Sequence, residues 1–218
     1  MSTRTVSTDQ LAPDRGTLLT WAAVLNGELV LVLLYFALSS ATPTDAVSLA
    51  YPFVWLNVAA WGVSRVGVPE ASRRQWLAAG GVGAAYFLLL GGVGGLYMLH
   101  GDALGTRIAW LAPGWGPAFI YSGADLTVSL LPFKLGGYAA LAYLVAVTVV
   151  DTARTGFAGL VGLLSCVSCT WPVVATLAAG LFGSASTAAV VAESQPYALS
   201  TAVFVSSVLL LTWRPGRR

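Results

Sequence analysis

The two cysteines of the chain, Cys166 and Cys169, stand three residues apart in Ser165-Cys166-Val167-Ser168-Cys169-Thr170-Trp171-Pro172. Soft sulfurs at that spacing can hold a soft ion such as Cu(I), or cycle between dithiol and disulfide. A structural zinc site wants four ligands, and a chain with one cysteine pair and one histidine does not supply them. The pair lies in the apolar stretch 157–182. Counted at ~1.5 Å of helical rise per residue from Asp151-Thr152-Ala153-Arg154, Cys166 falls roughly 15 Å deep, near the midplane of a ~30 Å hydrocarbon core. Pro172 has no N–H for the Ser168 carbonyl and its ring crowds that turn, so the sequence predicts a kink or break between Ser168 and Pro172. A helix restarting at Pro172 would turn its positive end toward Cys169 and favour the thiolate that metal binding needs. The plainer reading is that both cysteines are small buried hydrophobes.

Glu28 is the other candidate for chemistry. It lies about 16 Å from Thr17 along a helix, again near mid-depth, where an ionisable group is expensive and marks function by default. Asn57 reaches a similar depth on the next span. Glu28, Asn57, Cys166 and Cys169 are therefore expected to form a polar layer facing the bundle interior, with Glu28 placed to accept a proton released when a thiol binds metal or is oxidised. Asn26, roughly 200° round the helix from Glu28, points elsewhere. The plainer alternative for Glu28 is a protonated side chain bonded to a neighbouring helix. His100 and Asp102 read as solvated loop residues, too few for a metal site.

The elements that must position these residues follow from composition. With 57% hydrophobic and 9% charged residues and a mean hydropathy of +0.78, the chain reads as an integral membrane protein, because soluble domains carry about a quarter charged residues. A net charge of +2 gives no argument for nucleic acid. One histidine excludes a haem held by two histidines of this chain, and two methionines argue against a methionine-lined copper path.

Six transmembrane helices are expected, at 17–38, 46–63, 76–99, 133–150, 157–182 and 197–213, in one domain covering 1–218 and of all-α class. The first run is longer than the ~7–15 residues of a signal peptide's apolar core, so it reads as a retained span. Pro52 lies near the start of the second span. Gly91 and Gly95 have the GxxxG spacing that lets another helix backbone approach closely; the plainer reading is a packing face, and the alternative is a second membrane protein as a partner beside the lipid bilayer. Residues 103–132, rich in aromatics around Pro113-Gly114-Trp115-Gly116-Pro117, read as one interfacial or re-entrant segment with a helix over about 118–131. Lys134 is expected to snorkel to the outer surface. Of eleven basic residues, Arg4, Arg15, Arg65, Arg73, Arg74, Arg154, Arg214, Arg217 and Arg218 fall on one side and only Arg107 and Lys134 on the other. The positive-inside rule then makes both termini cytoplasmic.

Three stretches, 18–34, 110–117 and the SCVSCTWP-type run 163–172, together resemble an uncharacterised archaeal family of multi-pass membrane proteins. The resemblance implies no assigned activity, no active-site residues to carry over, and the company of respiratory-oxidase and haem or copper maturation components. Membrane thiol oxidoreductases that feed quinone are similar in having a membrane CxxC but use a second cysteine pair. Transmembrane electron carriers of cytochrome maturation place single cysteines on two helices. The leading expectation is a membrane factor whose CxxC handles Cu(I) or a thiol redox step in support of a respiratory complex. The alternative is a non-catalytic membrane subunit or transport component in which the CxxC is structural.

Overall fold

The computed structural model describes residues 15–39, 41, 46–99, 104–155 and 196–212. The chain divides into two units, Met1–Thr42 and Pro43–Arg218. The first contributes one helix, α1 (Arg15–Leu38). None of its residues is buried, and Leu19, Val30, Leu31 and Leu33 are all exposed. Its polar groups turn back on their own backbone: Thr20 Oγ1 donates to the Gly16 carbonyl and Asn26 Nδ2 to the Ala22 carbonyl at 2.7 Å. Such i to i−4 bonds let an apolar helix carry hydroxyls and amides without exposing their donors.

The second unit begins with α2 (Ala46–Arg65) and α3 (Arg73–Val93). It continues through four short strands to α4 (Pro132–Thr155) and, further along, α5 (Pro196–Thr212). Apolar runs bounded by arginines and prolines explain the helices; α1, α2, α3 and the 132–151 part of α4 are long and apolar enough to cross a membrane. α3 starts on a capping box, in which Ser72 Oγ accepts from the Gln75 N–H while Gln75 Oε1 accepts from the Ser72 N–H. It stops at Gly94-Gly95, where the Leu96 N–H donates to the Gly91 carbonyl and the Gly95 N–H to the Gly92 carbonyl, with Gly95 at φ +74°. That is a Schellman ending, which glycine favours because the left-handed conformation clashes with a Cβ.

Side-chain contacts fix the helix directions. Trp55 meets Phe133 and Tyr138 near the start of α4, and Gly62 meets Leu144 further along, so α2 and α4 run parallel. Trp55 also meets Thr201 and Phe204, while Gly62 meets Val208 and Thr212, so α5 runs the same way. Gly83 lies against Ala142 and Ala146, whereas Gly94 lies beside Lys134 and Tyr138, which makes α3 antiparallel to α4. The core runs along α4, where Phe133, Leu144, Val147 and Val150 are fully buried. One end of this bundle therefore gathers the starts of α2, α4 and α5 and the finish of α3. The opposite end holds Arg65, Arg73 and Arg74.

The sheet corrects the all-α expectation. β1 (Tyr97–Met98), β2 (Gly105–Ala109), β3 (Ala118–Ser122) and β4 (Thr127–Leu130) form an antiparallel sheet in the order β1-β4-β3-β2. The helix expected over 118–131 is instead the β3–β4 hairpin, closed by the Gly123 N–H donating to the Leu126 carbonyl. Its physical cause is legible: Phe119-Ile120-Tyr121 and Thr127-Val128 are aromatic and β-branched, and Gly123-Ala124-Asp125 breaks the run. The third span is also shorter than expected: it ends at Val93 instead of running through 99, and Tyr97-Met98 belongs to the sheet. Other helix bounds differ by a few residues, 15 for 17, 65 for 63, 132–155 for 133–150 and 196–212 for 197–213. The fifth expected span, with Cys166, Cys169 and the kink at Pro172, lies outside the described residues, as do His100 and Asp102.

Candidate functional site

Several described aromatic and polar side chains converge at the sheet end of the bundle, and a proline starts the construction. Pro52 sits inside α2 and has no N–H, so it cannot give the Ser48 carbonyl the helical bond that residue i+4 normally supplies. In an apolar medium such a carbonyl needs another donor. Trp115 provides it: its indole N–H donates to the Ser48 carbonyl at 2.9 Å, across 67 residues of sequence. The loop before β3 gets close enough because residue 114 is glycine. Gly114 holds φ +82°, and a Cβ there would lie 2.5 Å from the Pro52 ring.

From Trp115 the aromatic contacts run inward. Its ring meets Tyr197 of α5 at 4.6 Å and Phe133 of α4 at 5.0 Å, both edge-on. Phe133 meets Trp55 edge-on at 5.6 Å, and Trp55 stacks on Phe204 at 4.1 Å with the planes 6° apart. Each such pair adds roughly 0.5–1.5 kcal/mol to what area burial gives. The buried Trp55 N–H donates to Thr201 Oγ1 at 2.9 Å, so its one polar atom is satisfied. A Cβ on Gly137 would sit 2.5 Å from the Trp55 ring, so α4 can lie against that indole only because position 137 is bare.

Lys134 is the charged member of this junction. Its Nζ is half-buried at the sheet end and donates to the Gly94 carbonyl at 2.8 Å, with the Tyr197 ring 5.9 Å away. Gly94 caps α3, so the ammonium meets the negative end of that helix. The junction thus ties four helices and the sheet together with one cation, two indole N–H bonds and stacked rings. Chemically it can hold a shape and face an aqueous boundary; its described side chains include no nucleophile beside a base.

The residues singled out from sequence are distributed otherwise. Glu28 lies near the middle of α1, half-exposed within its own unit and engaged with a partner. Asn57 is half-buried, and its amide donates to the Phe53 carbonyl of its own helix at 2.9 Å. Gly91 and Gly95 do not share a helix face, because α3 ends between them. Gly91 instead receives this chain's own Tyr97, whose ring would lie 3.1 Å from a Cβ at that position, and the Tyr97 hydroxyl donates to the Leu88 carbonyl. Among the described residues no group of three or more His, Cys, Asp or Glu side chains could hold a metal ion. Sequence reasoning missed Trp115 and Pro52 as a pair. The signal was present in each, a proline within an apolar run and a tryptophan between glycines, but not in their separation.

A groove of about 380 Å³ between α2 and α4 is lined by Ala59, Ala60 and Val63 on one side and Gly136, Ala139 and Tyr143 on the other. Its lining carries no charged group.

Over residues 1–218 the sequence matches the model of a family described as "Family of unknown function (DUF7546)". No curated protein and no solved structure matches the chain.

Proposed function

The chain belongs to the DUF7546 family of unknown function, and from that premise we propose that it is a multi-pass protein of the cell membrane with six spans and both termini cytoplasmic. The observation that carries this reading is the sidedness of the bundle. Arg65 and the pair Arg73 and Arg74 share one end, while the sheet, Arg107 and Lys134 occupy the other, as a positive-inside protein requires. α4 finishes at the arginine end and α5 starts at the sheet end. The connection between them contains the apolar stretch 157–182, long enough to return across a bilayer. α1, separated in sequence from α2 only by residues 39–45, supplies the remaining span. A reporter active only outside the membrane, fused after Arg218, should be silent; activity there would overturn the topology.

Within this scaffold Cys166 and Cys169 are the proposed working residues, for Cu(I) or for a dithiol–disulfide step in support of a respiratory membrane complex, with Glu28 as the proton acceptor. What supports the assignment is their spacing and depth in the sequence, and the resemblance of 163–172 to the membrane CxxC family described above. Purified protein should contain copper near one equivalent, lost when both cysteines become serine; unaltered activity of the host respiratory complex with that double variant would favour the second reading. In that reading the protein is a non-catalytic subunit or transport component that docks another membrane protein through α3, at positions other than Gly91, which Tyr97 covers.

A further inference from the structure

We propose that one face of the sheet is a lipid-docking surface that lies on the outer leaflet of a phospholipid bilayer; the inference rests on the membrane reading above and adds to it a named contact surface. Residues directly opposite in an antiparallel ladder share a face, and neighbours along a strand alternate. The register pairs Ile108 with Phe119 and Phe119 with Leu130. Two residues along, it pairs Thr106 with Tyr121, Tyr121 with Val128 and Val128 with Tyr97. All seven residues therefore lie on one face, and only Thr106 among them is neither apolar nor aromatic. Ile108 is 62% exposed, Phe119 42% and Tyr121 43%, so the centre of this patch is uncovered. The opposite face carries Arg107, Ser122, Thr127 and Ser129, interleaved with Ile120 and Met98.

Continuity selects the occupant. At the β1 edge the patch runs into α3 through Tyr97, which packs on Gly91 and Gly92 and bonds the Leu88 carbonyl. Leu88, 58% exposed, and Leu89, 43% exposed, carry the apolar surface onward along a helix long and apolar enough to cross a membrane. A surface that passes from a spanning helix, through the half-buried Tyr97 and Val128, onto a sheet at its end meets the same lipid at the boundary. Tyrosine and other amphipathic aromatics are favoured at that depth. The polar reverse face, with its arginine, is then left to water and headgroups. The sheet takes the role usually given to an amphipathic helix at an interface, with the period of two in place of 3.6.

The test uses full-length protein with Cys166 and Cys169 replaced by serine, reconstituted in vesicles of phosphatidylcholine and phosphatidylglycerol. Single cysteines replace Leu88, Ile108, Phe119 or Tyr121, and on the reverse face Arg107 or Ser122. Each carries a nitroxide whose relaxation by apolar oxygen and by a water-soluble nickel chelate is compared. The proposal expects oxygen-dominated relaxation at 108, 119 and 121, resembling 88, and a several-fold shift toward the nickel chelate at 107 and 122. Nickel-dominated relaxation at 108, 119 and 121, with 88 still oxygen-dominated, overturns the docking surface and leaves the membrane reading intact. Labels shielded from both reagents would mean that a protein, a second copy included, covers the face, which also overturns it. Nickel-dominated relaxation at 88 sinks the membrane reading itself. Should Phe119→Cys fail to fold, Ile108→Cys, its partner across the ladder, reads the same face.

Discussion

The two ends of the bundle are held by different physics. At the sheet end large rings carry the contacts: Trp55, Trp115, Phe133, Tyr197 and Phe204 interlock, and indole and ammonium donors serve backbone carbonyls at Ser48 and Gly94. At the arginine end the helices approach through small residues, with Ala79 fully buried against Ala146 and Val150. There Ser72 and Gln75 cap their own helix, and Arg65 lies over its own Trp61 at 5.4 Å. The difference teaches where specificity resides. The sheet end fixes which elements meet, because its rings and donors find partners far away in sequence; the arginine end fixes how closely the helices pack.

The largest expected effect comes from filling the gap beside Trp55. Gly137→Val would place a Cβ 2.5 Å from an indole that is stacked and hydrogen-bonded, with no slack to yield. Such overpacking should cost about 3 kcal/mol or more, seen as a lowered Tm or loss of monodisperse protein in detergent. Gly80→Val, at a position with nothing within 4 Å, should fold normally. If the two variants behave alike, the aromatic junction does not organise its end.

A sharper comparison uses Trp115→Phe, which keeps an aromatic ring and removes the N–H given to the Ser48 carbonyl. The expected loss is about 1–3 kcal/mol. In a Pro52→Ala background, residue 52 regains its own N–H for that carbonyl, so the same change should cost measurably less. Equal costs in both backgrounds would disprove the link between proline and indole.

Smaller effects follow for single charges and caps. Lys134→Met removes the cation at the end of α3 and should lower stability by about 1 kcal/mol. Ser72→Ala breaks the capping box at the other end of the same helix, for about 1 kcal/mol or less at this exposed site. Both are read by thermal unfolding in detergent. A loss from Ser72→Ala exceeding that from Trp115→Phe would reverse the ranking of the two ends.

The helices α1, α2, α4 and α5 were legible because long apolar runs bounded by arginine, lysine or proline have few other readings. The end of α3 was overrun by six residues, 93 against 99, although Gly94-Gly95 is the residue pair a Schellman ending asks for. The sheet was hidden because its strands are four or five residues long or shorter, too brief for a period of two to stand out against aromatic content. Lys134 was placed correctly at the start of a helix, but its partner was not legible, since the carbonyl it meets belongs to Gly94, brought there only by the fold. Asn57 shows the same limit: depth along a helix follows from counting, but its bond to its own Phe53 carbonyl is a matter of rotamer. No spacing rule connects Pro52 to Trp115. That pairing exists because two elements far apart in the chain meet at one end of the bundle.

The central claim is that the sheet and the arginine-bearing turn lie on opposite sides of a membrane, and cysteine accessibility in intact cells tests it directly. In a chain with Cys166 and Cys169 replaced by serine, a cysteine is placed either at Asp125, exposed in the β3–β4 turn, or at Glu70, exposed between α2 and α3. A membrane-impermeant maleimide should label Asp125→Cys in intact cells and Glu70→Cys only after the membrane is opened. Labelling of both positions from outside, or of Glu70→Cys alone, would contradict the account.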